Sequence, residues 1–484
     1  MKTILIYDDN VRKSDIIKDI IGKRSFGSVV INRKKVKDYV LECVMSVFSD
    51  GIFKEIESEF DYAKIDQDFD LQNNGDTRVI YCLSNFFVTD TDKVALSFKK
   101  LPYIEDTYKA TVDGKLAAIM FETVQDFKDF NKNLISGVSA EEMAETITNE
   151  FEIEGLTDIS DAREFISCIT GNFDSRFFNS LEGDDYVIVK SSSNKKKIKA
   201  EYDFYYLLPD DMKYWFVMPF DYEESEDKAS YSMERLHITD LAIKWVHGSM
   251  DEDEFSELLD RYFYFFKSRH TKECTDEEYK AKADALYIDK VNDRIAELKK
   301  HPDYARIEQL LGVCADTDLD NLVSRYFVLK DKIERGISYK KELAIGHGDP
   351  CFANALYNKS TKTLKFIDPK GATSEEELFV NPYYDVAKLS HSICGSYDFF
   401  NNGMFDVRIN TDNCCELDLP VNNDELKNIF KEKVEDNGFD YEAVRIYEAS
   451  LFLSMLPLHM DNPHKVLGFI LNAKNILDEI EEEV

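Results

Sequence analysis

Three oxygen-bearing side chains fall within one short span of the chain. Asp349 lies in Ile345-Gly346-His347-Gly348-Asp349-Pro350-Cys351-Phe352-Ala353-Asn354, which also supplies Asn354. Asp368 follows in Phe366-Ile367-Asp368-Pro369-Lys370-Gly371, beyond a short apolar strand. A carboxylate in such a loop can orient a hydroxyl and accept its proton. An amide oxygen and a second carboxylate are hard ligands of the kind magnesium takes beside phosphates. Together these residue types suit phosphoryl transfer from ATP. The plainer reading is a polar turn with an exposed acid, followed by an ordinary strand. Four fixed positions followed at a sensible distance by a strand-borne acid argue against coincidence.

The pattern HGDxxxxN followed by IDP resembles the aminoglycoside phosphotransferase and choline kinase family of small-molecule kinases. The resemblance covers roughly residues 160–484 and implies a two-lobed α+β protein-kinase-like domain. It would have a small lobe at 154–236 and a mostly helical large lobe at 237–484. In that setting Asp349 is the catalytic carboxylate that orients and deprotonates the hydroxyl, while Asn354 and Asp368 are metal ligands. His347 is named with the catalytic group, as a loop-bracing residue more than as an acid or base. Tyr186-Val187-Ile188-Val189-Lys190 is an apolar strand ending in lysine, matching the lysine that holds the nucleotide phosphates. Glu201 then fits the helix-borne glutamate that positions such a lysine, with Tyr202, Tyr205, Tyr206 and Leu208 as the packing face. A strand-end lysine is otherwise a solvated one, and Lys195-Lys196-Lys197 reads as a solvated loop.

The resemblance also places the adenine-binding hinge at Met233, Glu234, Arg235 and Leu236, where backbone groups read the base. The loop over the phosphates falls at Gly171-Asn172-Phe173-Asp174-Ser175-Arg176. Asp385, just inside a helix, becomes the residue that braces the catalytic loop, with simple helix N-terminal charge as its alternative. Late helices over 441–477 are expected to line the substrate pocket.

The elements that must position these residues can be read in order. Thr3–Tyr7 predicts a buried strand, and 76–87 another. A hairpin is expected over Tyr108–Ala117, around Asp113-Gly114. Paired acids after the first strand, Asp8-Asp9, invite comparison with response-regulator receivers, but 48–68 contains no apolar strand ending in Asp. Gly27–Leu41 looks instead like the strand-to-helix stretch of sugar-nucleotide transferases. The first loop, Asp8–Lys13, has no glycine and directs two acids where phosphates would sit. Residues 1–153 are therefore read as an α/β, nucleotidyltransferase-like domain that is degenerate. Ser139-Ala140-Glu141-Glu142 opens a short helix as a capping box, and Gly155 with Asp158–Asp161 reads as connecting chain. Tyr214–Pro219 and Tyr231–Leu236 read as the last strands of the small lobe. Phe255, Leu258, Leu259, Tyr262 and Phe266 form one helical stripe, and Leu310, Leu311, Leu322, Tyr326 and Leu329 belong to a later group.

Length and composition limit the rest. The 484 residues exceed one core, and 44% hydrophobic residues suffice for packed interiors. A net charge of −34 disfavours nucleic acid and is compatible with a cationic acceptor such as an amino alcohol or amino sugar. No stretch reaches the length of a membrane-spanning helix, so no membrane insertion is expected. Nine cysteines without a CxxC pair predict reduced thiols and a cytoplasmic protein, and the adjacent Cys414 and Cys415 are not expected to bond each other. The reading that follows is an ATP- and Mg2+-dependent kinase acting on a hydroxylated small molecule, such as an amino alcohol, sugar or amino sugar, or a surface-polysaccharide precursor. Two readings stay open beside it: a non-catalytic scaffold built on both folds, and a nucleotidyltransferase acting through residues 1–153.

Overall fold

The computed structural model describes residues 2–70, 77–170, 179–183, 186–313, 318–411, 414–420 and 423–483. The chain forms a mixed α/β protein of two compact units: Met1–Asp174 with His247–Ser249, and Ser175–Val246 with Met250–Val484. Among the described residues no helix is long and apolar enough to cross a membrane.

The first unit is built on a six-stranded sheet in the order Ile52–Ile56, Lys2–Asp8, Thr77–Leu83, Lys115–Phe121, Tyr108–Val112, Asn149–Glu152. The first three strands are parallel, and the run Ile4–Tyr7 is buried throughout, as strands covered on both faces are. The hairpin forms as expected, with Asp113 and Gly114 at φ 50° and 76°, the positive pair that a two-residue turn of matching twist needs. The strand expected over 76–87 breaks at Ser84-Asn85. Its second piece, Phe86–Val88, pairs with Leu156–Asp158, where the sequence reads as connecting chain. Asn85 Nδ2 donates to Asp158 Oδ1 at 3.0 Å, giving that polar strand its partner. The unit thus continues past residue 153. Ser139 caps the short helix Ala140–Ala144 by accepting from Glu142 N–H.

The acids after the first strand turn inward, contrary to the expectation that they face a phosphate site. Asp8 accepts from the hydroxyls of Tyr62, at 2.7 Å, and Tyr81. Asp9 accepts from Ser25 Oγ at 2.6 Å and Gly27 N–H at 2.7 Å. Burial raises both carboxyls above the usual range.

The second unit opens with an antiparallel sheet in the order Asn179–Gly183, Val187–Ser192, Ala229–Glu234, Pro219–Glu224. The helix Lys195–Leu207 buries Ile198, Glu201 and Phe204. Three expectations are corrected here. Lys195-Lys196-Lys197 is the first turn of this helix, capped by Asn194, and Tyr206 is exposed. The run Tyr214–Pro219 is not a strand: Lys213–Trp215 is a 3-10 turn, and the strand begins at Pro219. The aromatic rings explain this, because Trp215 and Phe216 pack on Phe265 of the helix Glu252–Ser268.

That helix buries Phe255, Leu258, Leu259, Tyr262 and Phe266 as its stripe predicts. In the later group Leu311, Leu322, Tyr326 and Leu329 are buried, and Leu310 is exposed. Helix Tyr383–Ile393 is buried on every side although it carries Asp385, Lys388 and His391. A helix buried all round is ordinarily apolar all round, so these polar residues call for partners. Seven described cysteines lie outside disulfides, whereas Cys415 is disulfide-bonded, so the expectation of reduced thiols fails at that position.

Candidate functional site

The strand Glu342–Ile345 runs into the loop that carries Asp349, and two features bend the chain there. At Gly346 a Cβ would lie 2.3 Å from Val380 Cγ2. Gly348 adopts φ +84°, a left-handed conformation that side chains resist, and a Cβ there would meet Lys370 at 2.5 Å. Asp385 then fixes the turn with both oxygens: His347 N–H donates to Oδ2 at 2.9 Å and Gly348 N–H to Oδ1 at 2.8 Å. Arg269 Nη1 reaches the same Oδ2 at 3.0 Å, and this ion pair is buried.

His347 is fully buried and stacked on Phe216. Its Nδ1 accepts from Asp349 N–H at 3.0 Å, which leaves the proton on Nε2 to bridge to Ile367 O at 2.9 Å. Burial lowers its pKa, so the ring is neutral. Both nitrogens serve the backbone on either side of the site.

Asn354 Nδ2 donates to Asp349 O at 2.9 Å, and Asn354 O accepts from Ile367 N–H at 3.0 Å. The amide oxygen of Asn354 is thereby turned away from the loop. Asp368, at φ +55°, stands just after the strand Thr363–Phe366. Its carboxylate lies 2.8 Å from Lys190 Nζ, which also meets Glu201 Oε2 at 2.7 Å. Burial alone would lower the Lys190 pKa, but the Asp368 and Glu201 carboxylates outweigh it and hold the ammonium above its ordinary value. Tyr231 OH donates to Glu201 at 3.1 Å. At Gly371, φ +90°, a Cβ would be 2.7 Å from the Ala200 carbonyl carbon, so the chain after Asp368 lies directly on the Glu201 helix.

Two oxygens, from Asn354 and the part-exposed Asp368, suit magnesium, which keeps most of its shell for water and phosphate oxygens. Among the described residues no group of three or more His, Cys, Asp or Glu is placed to hold an ion by itself. The expected hinge overlaps the end of the strand Ala229–Glu234, which contains Glu234 and the buried Met233. Arg235 N–H is already given to Tyr186 O at 2.8 Å and Leu236 O to Ile238 N–H at 2.7 Å, so those two groups do not face a base. The expected phosphate loop, 171–176, lies outside the described residues.

Sequence reasoning missed Lys388. Its Nζ is 3.0 Å from Asp349 Oδ1. Burial pushes the Asp349 carboxyl up, but the Lys388 ammonium overrides it and holds the pKa at about 2. The signal was present in the sequence as a lysine one turn beyond Asp385 on the same helix. Arg269 gave no such signal. Since the Asp349 pKa is depressed, its share of stability is complete above 3.8 and is lost as pH falls toward about 2. Replacing Lys388 by Met should raise that pKa by about 1–3. An acid limb should then emerge in the profile of kcat against pH. A profile identical to wild type would contradict the pairing.

The sequence matches no protein-family profile and no curated protein. Similar solved structures include a thermostable aminoglycoside phosphotransferase APH(4)-Ia in ternary complex with ADP and hygromycin B. It is 12% identical, with a TM-score of 0.35 over 65% of this chain and 97% of that one. The apo form of that enzyme gives 13% and 0.35 over 66% and 98%. An aminoglycoside-3'-phosphotransferase of type VIII gives 13% and 0.31 over 57% and 93%.

Proposed function

We propose that the second unit is an ATP- and magnesium-dependent phosphotransferase that acts on a hydroxyl of a small molecule. The observation that carries this reading is the convergence of Lys190 on both Glu201 and Asp368, beside a loop that presents Asp349 and Asn354. Lys190, held by Glu201, steadies the nucleotide phosphates, and the remaining hinge groups of Met233–Leu236 receive the base. Asn354 and Asp368 hold magnesium, which when bound neutralises phosphate charge. Asp349 orients the acceptor hydroxyl. The hydroxyl oxygen bonds to the γ-phosphorus, the bond to the β–γ bridging oxygen breaks, ADP leaves, and the hydroxyl proton passes to Asp349.

A carboxyl with a pKa of about 2 is a feeble base. That is sufficient in a loose transition state, where the hydroxyl keeps its proton until late and the acid's main task is alignment. His347 and Asp385 act as positioning residues. In this reading the first unit is a degenerate nucleotidyltransferase-like domain, supported by the glycine-free loop after Asp8 and by the inward turn of Asp8 and Asp9.

The test is calorimetric titration with ATP, with and without magnesium, of wild type beside Asp368→Asn. Magnesium-dependent binding is expected, weakened at least about tenfold by the substitution, or about 1.4 kcal/mol. Binding indifferent to magnesium and to the substitution would move the activity to the first unit. No nucleotide binding would leave a scaffold.

A further inference from the structure

The helix Tyr383–Ile393 aims more than Asp385 at the site. Tyr384, Lys388 and His391 recur at i, i+4 and i+7, which places them on one helical stripe. Lys388 lies against Asp349 Oδ1. Lys290 arrives from a separate helix, Lys290–Leu298, immediately after the π turn Ala285–Asp289. Widened turns of this kind often occur at functional sites. Its Nζ donates to Tyr384 OH at 3.0 Å. His391 is fully buried and stacked on Tyr397 at 4.2 Å, and neither ring nitrogen has a hydrogen-bond partner among the described residues.

The charge gathered here is positive, in a chain whose net charge is −34. Burial would raise the Tyr384 phenol, yet Lys290, Lys388 and Lys370 together bring it below its ordinary value. Acids stand nearby as well, and Asp385 is taken by Arg269. Asp349 is already paired, and burial pushes Asp398 up to about 7, so it offsets little charge below neutral pH. An amine brought to Asp349 would meet the Lys388 ammonium. An anion would find point charges beside the hydroxyl-orienting acid, and lysine binds phosphate and carboxylate as such a charge.

We propose that the acceptor carries a compact anionic group, phosphate or carboxylate, and that Lys388, Lys290 and His391 form the subsite holding it beside the reacting hydroxyl. This rests on the phosphotransferase reading and selects among its acceptors, against amino alcohols and amino sugars.

The full chain, saturated with magnesium and a non-hydrolysable ATP analogue, is titrated with glucose 6-phosphate, glucuronate, glucose and glucosamine. At least one anionic ligand should bind about tenfold or more tightly than glucose and glucosamine, and which one binds distinguishes phosphate from carboxylate. Lys290→Gln should remove that margin and Lys290→Arg restore it, with analogue affinity unchanged in both as the control for folding. Equal or tighter binding of glucosamine, no anionic binding, or anionic binding indifferent to Lys290→Gln would each overturn the proposal. Failure of the analogue itself to bind would overturn the reading beneath it, so the two failures are distinguishable.

Discussion

Asp349→Asn is expected to lower kcat by about 10³-fold, within the range for a positioned acid–base group, while leaving the nucleotide affinity within a factor of about three of wild type. The substitution keeps the shape of the side chain, and Asp349 N–H still donates to His347 Nδ1. The loop is therefore held as before, and what is lost is the negative charge that aligns the hydroxyl and takes its proton. Lys388 keeps an oxygen partner but loses its counter-charge while nearly buried, so a drop in stability accompanies the drop in rate. Single-turnover measurement with saturating ATP separates the two, since a folded fraction alone cannot mimic a 10³-fold loss. Activity retained within tenfold would remove Asp349 from the chemistry.

What could be read from the sequence was what lies close together along it. Asp349, Asn354 and Asp368 sit on one loop and one hairpin, so their spacing carries their geometry. The Asp113-Gly114 turn was legible for the same reason. The Lys195–Leu207 helix shows where local reasoning fails. Three lysines in a first turn oppose the helix dipole, yet Asn194 caps the turn, Lys195 and Lys197 of that run each find an acid, and so does Lys199 one turn on. The run Tyr214-Trp215-Phe216 has strand-forming residues, but its rings pack on a helix far along the chain. Net charge is uninformative for a different reason. A total of −34 is compatible with a cationic ligand, yet Lys388 lies against Asp349 and lysines surround Tyr384. Whole-surface charge averages over exactly the few side chains that a pocket selects.

Asp385 offers the sharpest separation of folding from positioning. Asp385→Asn is expected to destabilise the second unit by about 3–5 kcal/mol, because it leaves the buried Arg269 guanidinium without its counter-charge. It should also lower kcat in the folded fraction by about 10²-fold, because an amide cannot accept from both His347 and Gly348 N–H while its nitrogen remains a donor. Urea denaturation gives the first quantity, and kcat of the folded enzyme at a fixed temperature gives the second. Adding Arg269→Met to Asp385→Asn removes the orphaned charge, so much of the stability should return. The rate should not return, since the two loop N–H groups still lack their carboxylate. Recovery of both together would mean that Asp385 matters only as the partner of Arg269. Recovery of stability alone identifies the carboxylate as the device that holds Asp349 in place.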